Sequence, residues 1–284
     1  SDVTTVSRLT PDPVCSSPPG PALQTPPAPQ QPAVCSPQPQ SKTTENIPLP
    51  GCSQSFGLWW YPGEGGDIMK LKISINLSKK RRGRKCLDTE ITTKKQFEDY
   101  VSEHGLTKRI CLSLCHQLFD ILNHFYTVKL QLSYLYRELI TRQTGLHYDG
   151  KIDPLLHQDW ADVIDLMLQL KEVEIPRCAI PKPWRPGNYI SLITFCDGSG
   201  LSSICKIYCR VAIDDKMTEF TANFVTASFK LGENNANHAV KQEFHSLTLA
   251  IRLLEMVTSC WKHIDISEII LLSDSQVVLG ALFS

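Results

Sequence analysis

Three carboxylates in the last third of the sequence, Asp197, Glu243 and Asp274, have the types and spacing that suit binding of a divalent cation. Each Asp directly follows a short apolar run, and Glu243 lies in a stretch with helical apolar spacing. Carboxylates that lie close together repel one another unless a cation such as Mg²⁺ or Mn²⁺ lies between them. Two such ions can hydrolyse a phosphodiester by activating the attacking water and stabilising the leaving oxygen. The sequence therefore predicts a metal-dependent hydrolytic site in which all three residues are catalytic metal ligands.

Each of the three residues also has a purely structural interpretation. Asp197 precedes Gly198, a pair that is typical of turns. Asp274 can serve as the N-cap of a helix that starts at Gln276. Glu243 would be a surface residue if its helix were rotated from our assignment. We favour the shared site, because all three coincidences would have to occur in the right elements and in the right order.

Alternating apolar residues predict the strands that would position these carboxylates. Residues 189–196 predict a strand that ends in a tight turn over 197–200. Residues 204–213 and 220–229 predict two more strands, joined by a hairpin turn at 214–216. Three consecutive strands joined in this way form an antiparallel meander.

A helix, an apolar strand and a second helix are predicted after the meander. The first helix runs from Asn237 as N-cap to about Cys260, and Glu243 shares its predicted core face. Residues 268–272 are all apolar after the first, which suits the middle of a sheet, and another helix starts near Gln276. The predicted core face of the first helix carries apolar residues at helical spacing: Val240, Phe244, Leu247, Ile251, Leu254 and Val257.

Upstream of the carboxylates, the sequence predicts a hairpin, a basic segment and a helical region. Residues 56–61 and 69–77 predict a β-hairpin with one buried face. Helical spacing over 107–140, with Thr107 as N-cap, predicts two helices or one bent helix. Helical spacing over 154–173, with Asp153 as cap before Pro154, predicts a further helix. The basic segment can contact phosphates, but we favour a solvated loop because it contains no aromatic residues. Its cations are Lys79, Lys80, Arg81, Arg82, Arg84 and Lys85.

Composition limits the remaining possibilities. Residues 1–50 contain 13 of the 19 prolines and few large apolar residues, so we expect them to be disordered. Lys plus Arg and Asp plus Glu number 29 each, so the net charge favours no class of partner. No apolar run is long enough to cross a bilayer. The 11 cysteines lack paired metal-site spacing and no signal peptide is evident, so we expect reduced thiols and an intracellular protein.

The order of short motifs resembles the RNase H region of BEL/Pao-type retrotransposon polyproteins over roughly residues 55–284. The upstream motifs are similar to that family's segment between the polymerase palm and the RNase H core. They are Phe56-Gly-Leu-Trp-Trp-Tyr-Pro62, Leu106-Thr-Lys-Arg109, Phe119-Asp120 and the Trp160 helix. The RNase H motifs are Ile175-Pro-Arg-Cys178, Phe195-Cys-Asp-Gly-Ser199, Phe224-Val-Thr-Ala227, Glu243 before Leu247 and Leu272-Ser-Asp-Ser275.

The resemblance implies an α/β (α+β) fold with an RNase H-like mixed sheet of three antiparallel strands followed by helix, strand and helix. We expect a disordered segment at 1–50, a reverse transcriptase thumb or connection-like region at 51–185, and an RNase H-like domain at 186–284. That domain would be truncated at its C-terminal end, because the family adds an acidic residue on a later helix.

The implied function is metal-dependent hydrolysis of the RNA strand of RNA–DNA hybrids, with Mg²⁺ or Mn²⁺ held by the three carboxylates. Expected partners are a hybrid or other nucleic acid and other parts of a retroelement polyprotein. The alternative is a truncated, inactive remnant that retains at most nucleic-acid binding. The family contacts sugar and phosphate across the minor groove, which suggests a substrate-binding set near the site. Its members are Ser199, Ser202 and Asn237.

Two other enzymatic functions do not fit the sequence. Ala212-Ile-Asp-Asp215 is similar to the reverse transcriptase Tyr/Phe-x-Asp-Asp hairpin, but it lacks the aromatic residue and there is no upstream palm to supply a third carboxylate. Aspartic peptidases carry Asp-Thr/Ser-Gly, which Asp197-Gly-Ser199 does not match. We therefore expect neither polymerase nor peptidase activity.

Overall fold

A computed structural model describes residues 5–6, 53–55, 58–62, 67–77, 90–182, 184–185, 187–214, 216–233 and 238–283. The predicted basic segment at 79–85 and the predicted cap Asn237 lie outside these residues. Of the Pro-rich segment, only Thr5–Val6 is described, so the expectation of disorder for the rest stays a prediction. Among the described residues, no helix combines the length and apolarity needed to cross a membrane.

The secondary structure elements form two parts, a small sheet with helices and a larger sheet with helices. In chain order they are β1 (Thr5–Val6), β2 (Ser53–Ser55), β3 (Leu58–Tyr61), β4 (Ile68–Leu71), β5 (Ile75–Asn76), β6 (Glu90–Ile91), α1 (Lys94–His104), α2 (Lys108–Gln117), α3 (Tyr126–Arg142), α4 (His157–Gln169), β7 (Ile175–Pro176), β8 (Ile190–Gly198), β9 (Ser202–Ala212), β10 (Phe220–Leu231), α5 (Ala239–Cys260), β11 (Glu268–Leu272) and α6 (Gln276–Phe283).

The upstream part is a small antiparallel sheet packed against helices. Its strand order is β2-β3-β4-β7, and the predicted hairpin is confirmed as the β3–β4 pair. The second strand of the hairpin is shorter than predicted, because β4 ends at Leu71 and β5 pairs with β6 instead. One face of the hairpin is buried at Met69 and Leu71, and Leu71 belongs to the same core as the fully buried Trp160.

Two helical segments of this part begin at the caps that the sequence predicts. The Thr107 hydroxyl accepts a hydrogen bond from the Ile110 N–H at 3.3 Å, so Thr107 is the N-cap of α2 as predicted. The helical spacing over 107–140 forms two helices, α2 and α3, and not one bent helix. Asp153 accepts from the Leu155 N–H at 3.0 Å and starts the turn that leads into α4.

The larger sheet confirms the predicted RNase H-like fold class. Its strand order is β1-β11-β8-β9-β10, in which β8, β9 and β10 form the predicted antiparallel meander. Strand β11 pairs parallel to β8, which requires the crossover that α5 provides. Helix α5 packs on one face of the sheet, where Leu192, Ile207 and Val257 share a core.

Helix α5 faces the sheet with only part of the predicted core face: Leu247 and Val257 are buried and Leu254 packs against the core as predicted, but the other three residues do not. Of the predicted core face, Val240, Phe244 and Ile251 are 50%, 38% and 44% exposed. The buried face is instead largely small or polar: Gln242, Ser246, Leu247, Ala250 and Val257. The prediction was wrong for Val240, Phe244 and Ile251 because apolar spacing assumes that bulky side chains fill the interface, whereas the start of α5 packs backbone against backbone. The N-cap residue is His238, one position after the predicted Asn237.

The two parts contact each other through the loop between α2 and α3. The Asn123 side-chain amide donates to the Ala227 carbonyl at 2.8 Å, and the Thr226 hydroxyl donates to the Leu122 carbonyl at 3.1 Å. Arg137 on α3 also donates to the Gly232 carbonyl. These contacts cross the boundary expected at residues 185 and 186, which itself stays a prediction.

Candidate functional site

Parallel pairing brings Asp197 and Asp274 to the same edge of the larger sheet. Phe195 in β8 pairs with Leu272 in β11, and each Asp follows its paired residue by two positions. Glu243 lies early in α5, which packs on β8. One carboxylate oxygen from each of the three residues lies within 4.8 Å of the others. The structure therefore brings together the three residues that the sequence singled out.

The two aspartates do not have the purely structural roles that the sequence also allowed, Asp197 as the first residue of a turn and Asp274 as the N-cap of a helix. Strand β8 continues through Asp197 to Gly198, so Asp197 ends a strand and the turn follows at 199–201, not at 197–200 as predicted. The Ser275 hydroxyl, not Asp274, accepts the capping hydrogen bond of α6, from the Val278 N–H at 3.4 Å. Both Asp side chains are exposed at the edge of the sheet.

Gly198 allows α5 to approach the end of β8. A Cβ atom at this position would lie 2.3 Å from both the Gln242 carbonyl carbon and the Glu243 nitrogen, closer than real Cβ contacts. The Gly198 N–H also donates to the Glu243 carboxylate. The glycine after Asp197 is thus needed for this close packing, and it holds Glu243 beside Asp197.

The electrostatics of the cluster favour a bound cation. Burial raises the pKa of Glu243, and the negative charges of Asp197 and Asp274 raise that pKa further. Glu243 Oε2 is buried and has no hydrogen-bond partner among the described residues. A buried carboxylate oxygen without a partner is costly, and a divalent cation would satisfy it. The three residues therefore fit a divalent metal ion through oxygen ligands.

A buried polar pair that the sequence analysis missed anchors α5 to the sheet. The Ser203 hydroxyl on β9 lies 3.0 Å from the Gln242 carbonyl and 2.6 Å from Gln242 Oε1, and both residues are almost fully buried. The residues are 39 positions apart, so no local pattern indicates their contact. This pair holds the residue next to Glu243 in place.

The predicted substrate-binding serines have a structural role in the turn between β8 and β9. The Ser199 hydroxyl accepts from the N–H groups of Leu201 and Ser202 at 3.3 and 3.2 Å, and the Ser199 N–H donates to the Ser202 carbonyl at 2.8 Å. Both serines line a cavity of about 530 Å³ between this turn and helices α3 and α4. Their contact with substrate stays a prediction, and Asn237 and the basic segment lie outside the described residues.

The chain matches the model of a known protein family. A family model described as a Pao retrotransposon-like RNaseH-like domain matches residues 107–275, more than half of the 284-residue chain. The matched range contains all three carboxylates and also helices α2, α3 and α4. A search of curated proteins found no match to this chain.

Proposed function

The chain belongs to the family of Pao retrotransposon-like RNase H-like domains, and from that premise we propose that it hydrolyses the RNA strand of RNA–DNA hybrids with a divalent metal ion. The observation that carries this proposal is the convergence of Asp197, Glu243 and Asp274 within 4.8 Å. The buried Glu243 oxygen without a hydrogen-bond partner supports it, because a cation would supply the missing interaction.

The roles of the three carboxylates follow from their positions. An all-oxygen set suits Mg²⁺ or Mn²⁺, and Asp197, Glu243 and Asp274 would hold the ion. When bound, the ion supplies activation of the attacking water and stabilisation of the leaving oxygen. Glu243 accepts a hydrogen bond from the Gly198 N–H, which fixes its carboxylate. Asp197 and Asp274 are exposed, so a phosphate in solution can reach them.

The proposed substrate is a hybrid duplex, because the matching family is described as RNase H-like. An acidic metal site acts on the sugar-phosphate backbone and does not need to read bases. The turn at 199–201 follows Gly198 at the end of β8 and so begins two residues after Asp197. In this proposal its backbone and the serine hydroxyls contact the sugar-phosphate backbone beside the scissile bond.

A cleavage assay with matched variants tests the proposal. The full chain is incubated with an RNA–DNA hybrid, labelled on one strand at a time, in Mg²⁺, Mn²⁺ or EDTA. We expect metal-dependent cleavage of the RNA strand that Asp274→Asn reduces by more than about 100-fold, since even outer-shell partners of metals contribute about 10- to 100-fold. Asp265→Asn is the matched control, because Asp265 is exposed and precedes the other end of β11.

Three outcomes would contradict the proposal. A folded chain that binds the hybrid but leaves it intact in both metals would indicate binding without catalysis. Cleavage that survives Asp274→Asn unchanged would place the reaction outside the carboxylate cluster or in a contaminant. Equal cleavage of the DNA strand would show a nuclease without the proposed preference for RNA.

A further inference from the structure

A second groove, far along the chain from the carboxylates, lies on the small sheet. It has a volume of about 640 Å³, within the range of about 300–1,000 Å³ that is typical of ligand-binding clefts. The hairpin of β3 and β4 forms one wall, and the rest is lined by residues of 73–76, by the carboxylate Glu90 and by Lys171 in the turn after α4. We call it the hairpin groove, and its aromatic and basic lining residues are Trp59, Tyr61, Lys70, Lys72 and Lys171.

Strand register separates these residues from the core. Trp59 pairs directly with Lys70, and residues that pair directly in a sheet share one face. Tyr61 lies two positions after Trp59, so it shares that face as well. Met69 and Leu71 alternate with these residues along β4 and are buried, and the buried Leu71 and Ile73 also line the groove. The core packing therefore depends on Leu71 and Ile73, but not on the lysine side chains that line the groove.

The side chains on the groove side already make weak contacts of the kind that a nucleotide would replace. Lys72 Nζ lies 5.5 Å from the centroid of the Trp59 ring, within the range of a cation–π contact. Lys70 Nζ lies 3.2 Å from a Glu174 oxygen, in a pair whose Glu side chain is 56% exposed. Such exposed ion pairs contribute little to stability, so a phosphate can compete for the lysine.

From this arrangement we propose that the hairpin groove binds single-stranded nucleic acid, with a base stacked on Trp59 and phosphates held by Lys72 and Lys171. Aromatic faces interleaved with cations are the arrangement by which proteins bind single strands without reading their sequence. A duplex is a poorer ligand, since its bases are already stacked and the groove offers no way to reach them. This site is separate from the carboxylate cluster and does not depend on catalysis there.

The test measures binding in EDTA, so that it is independent of the proposed hydrolysis. The full chain is titrated into labelled RNA, DNA and abasic DNA strands of about ten nucleotides, a length in the range that such sites cover, and fluorescence anisotropy is recorded. We expect RNA and DNA to bind and the abasic strand to bind at least about fivefold more weakly, since stacking of one base contributes about 5- to 150-fold. RNA and DNA are compared to show which strand the groove prefers.

Variants locate the binding in the groove. Trp59→Ala should weaken binding about tenfold, whereas Trp59→Phe, which keeps an aromatic face, should remain near wild type. Trp184→Ala is the matched control, because Trp184 is 39% exposed and is not part of the groove lining. The double variant Lys72→Gln/Lys171→Gln keeps Trp59 and should lower the salt dependence of binding by about 1.4, or about 0.7 for each phosphate contact. Circular dichroism of each variant checks that it folds.

The results that would overturn the proposal are distinct. If wild type binds strands but Trp59→Ala and the double lysine variant bind as tightly, the binding lies elsewhere in the chain. If the abasic strand binds as well as RNA and DNA, the interaction is with a polyanion and involves no stacked base. If wild type does not bind any strand, the groove has no such ligand, whatever the cleavage assay shows.

Discussion

The substitution Gly198→Ala tests the packing that positions Glu243. Its added methyl group would lie 2.3 Å from Gln242 and Glu243 backbone atoms. Ordinary carbon contacts begin near about 3.5 Å, so the start of α5 must move away from β8 by roughly 1 Å. The backbone φ of Gly198 is not in the left-handed region, so an alanine is allowed there and the cost is purely steric.

Two measurable losses follow from that displacement. Forcing an extra methyl into a well-packed interface costs about 1–3 kcal/mol of unfolding free energy. A misplacement of about 1 Å in a catalytic group can reduce the rate about 100-fold. We therefore expect Gly198→Ala to be less stable by that amount and to cleave a hybrid about 100-fold more slowly, even where the variant is fully folded.

Stability is measured by urea unfolding, monitored by far-UV circular dichroism. Hybrid cleavage is measured without urea, at a temperature at which the variant is folded. Gly280→Ala is the matched control, because a Cβ at Gly280 would meet no atom within 4 Å. An alanine inside α6 should instead stabilise that helix by up to about 1 kcal/mol. If Gly198→Ala matched wild type in both stability and rate, the close approach of α5 to β8 would be refuted.

Two further predictions concern the charge cluster and the contact between the two parts. In EDTA at pH 7, Glu243→Gln should raise the unfolding free energy by about 1–2 kcal/mol, since it removes two repulsions of about 0.9 kcal/mol each in water at the 4.8 Å limit. Because the folded-state pKa of Glu243 is raised above 4.5, the wild-type protein loses stability as pH rises through that pKa. The stability gained by Glu243→Gln, measured by urea unfolding, should therefore shrink as pH falls toward 4.5. An equal gain at pH 4.5 would contradict charge repulsion as its cause. Asn123→Ala should lower thermal and urea stability by about 2–3 kcal/mol, because it loses the bond to Ala227 and places alanine at a φ of 55°. Asn123→Gly should lose less than Asn123→Ala, and equal losses would show that the backbone conformation is not involved.

Local chemistry in the sequence was enough to predict most elements of the fold. The caps at Thr107 and Asp153 depend on hydrogen bonds to residues two or three positions away, so they can be read from neighbouring residues. The meander depends on period-two alternation, which is also local. The order of Asp197, Glu243 and Asp274 along strand, helix and strand could therefore be assigned before any contact was known.

Contacts between distant residues explain where that prediction failed. Three of the six residues predicted to face the sheet from α5, Val240, Phe244 and Ile251, are substantially exposed. The other three, Leu247, Leu254 and Val257, pack against the core as predicted. The actual interface is set by Gly198 and the buried Ser203–Gln242 pair, which no helical period can indicate. Asn123 illustrates the same point, because its amide bonds a carbonyl 104 positions away.

The sequence by itself determined which segments form strands and helices and which carboxylates lie at their ends, because backbone preference and capping act over a few residues. Only the tertiary structure decided that β11 lies parallel beside β8, and so that Asp274 lies next to Asp197. It also decided the rotation of α5 that turns Glu243 toward them. Strand pairing and helix rotation depend on how distant surfaces fit, and the energy of that fit belongs to the pair of surfaces and not to either segment alone.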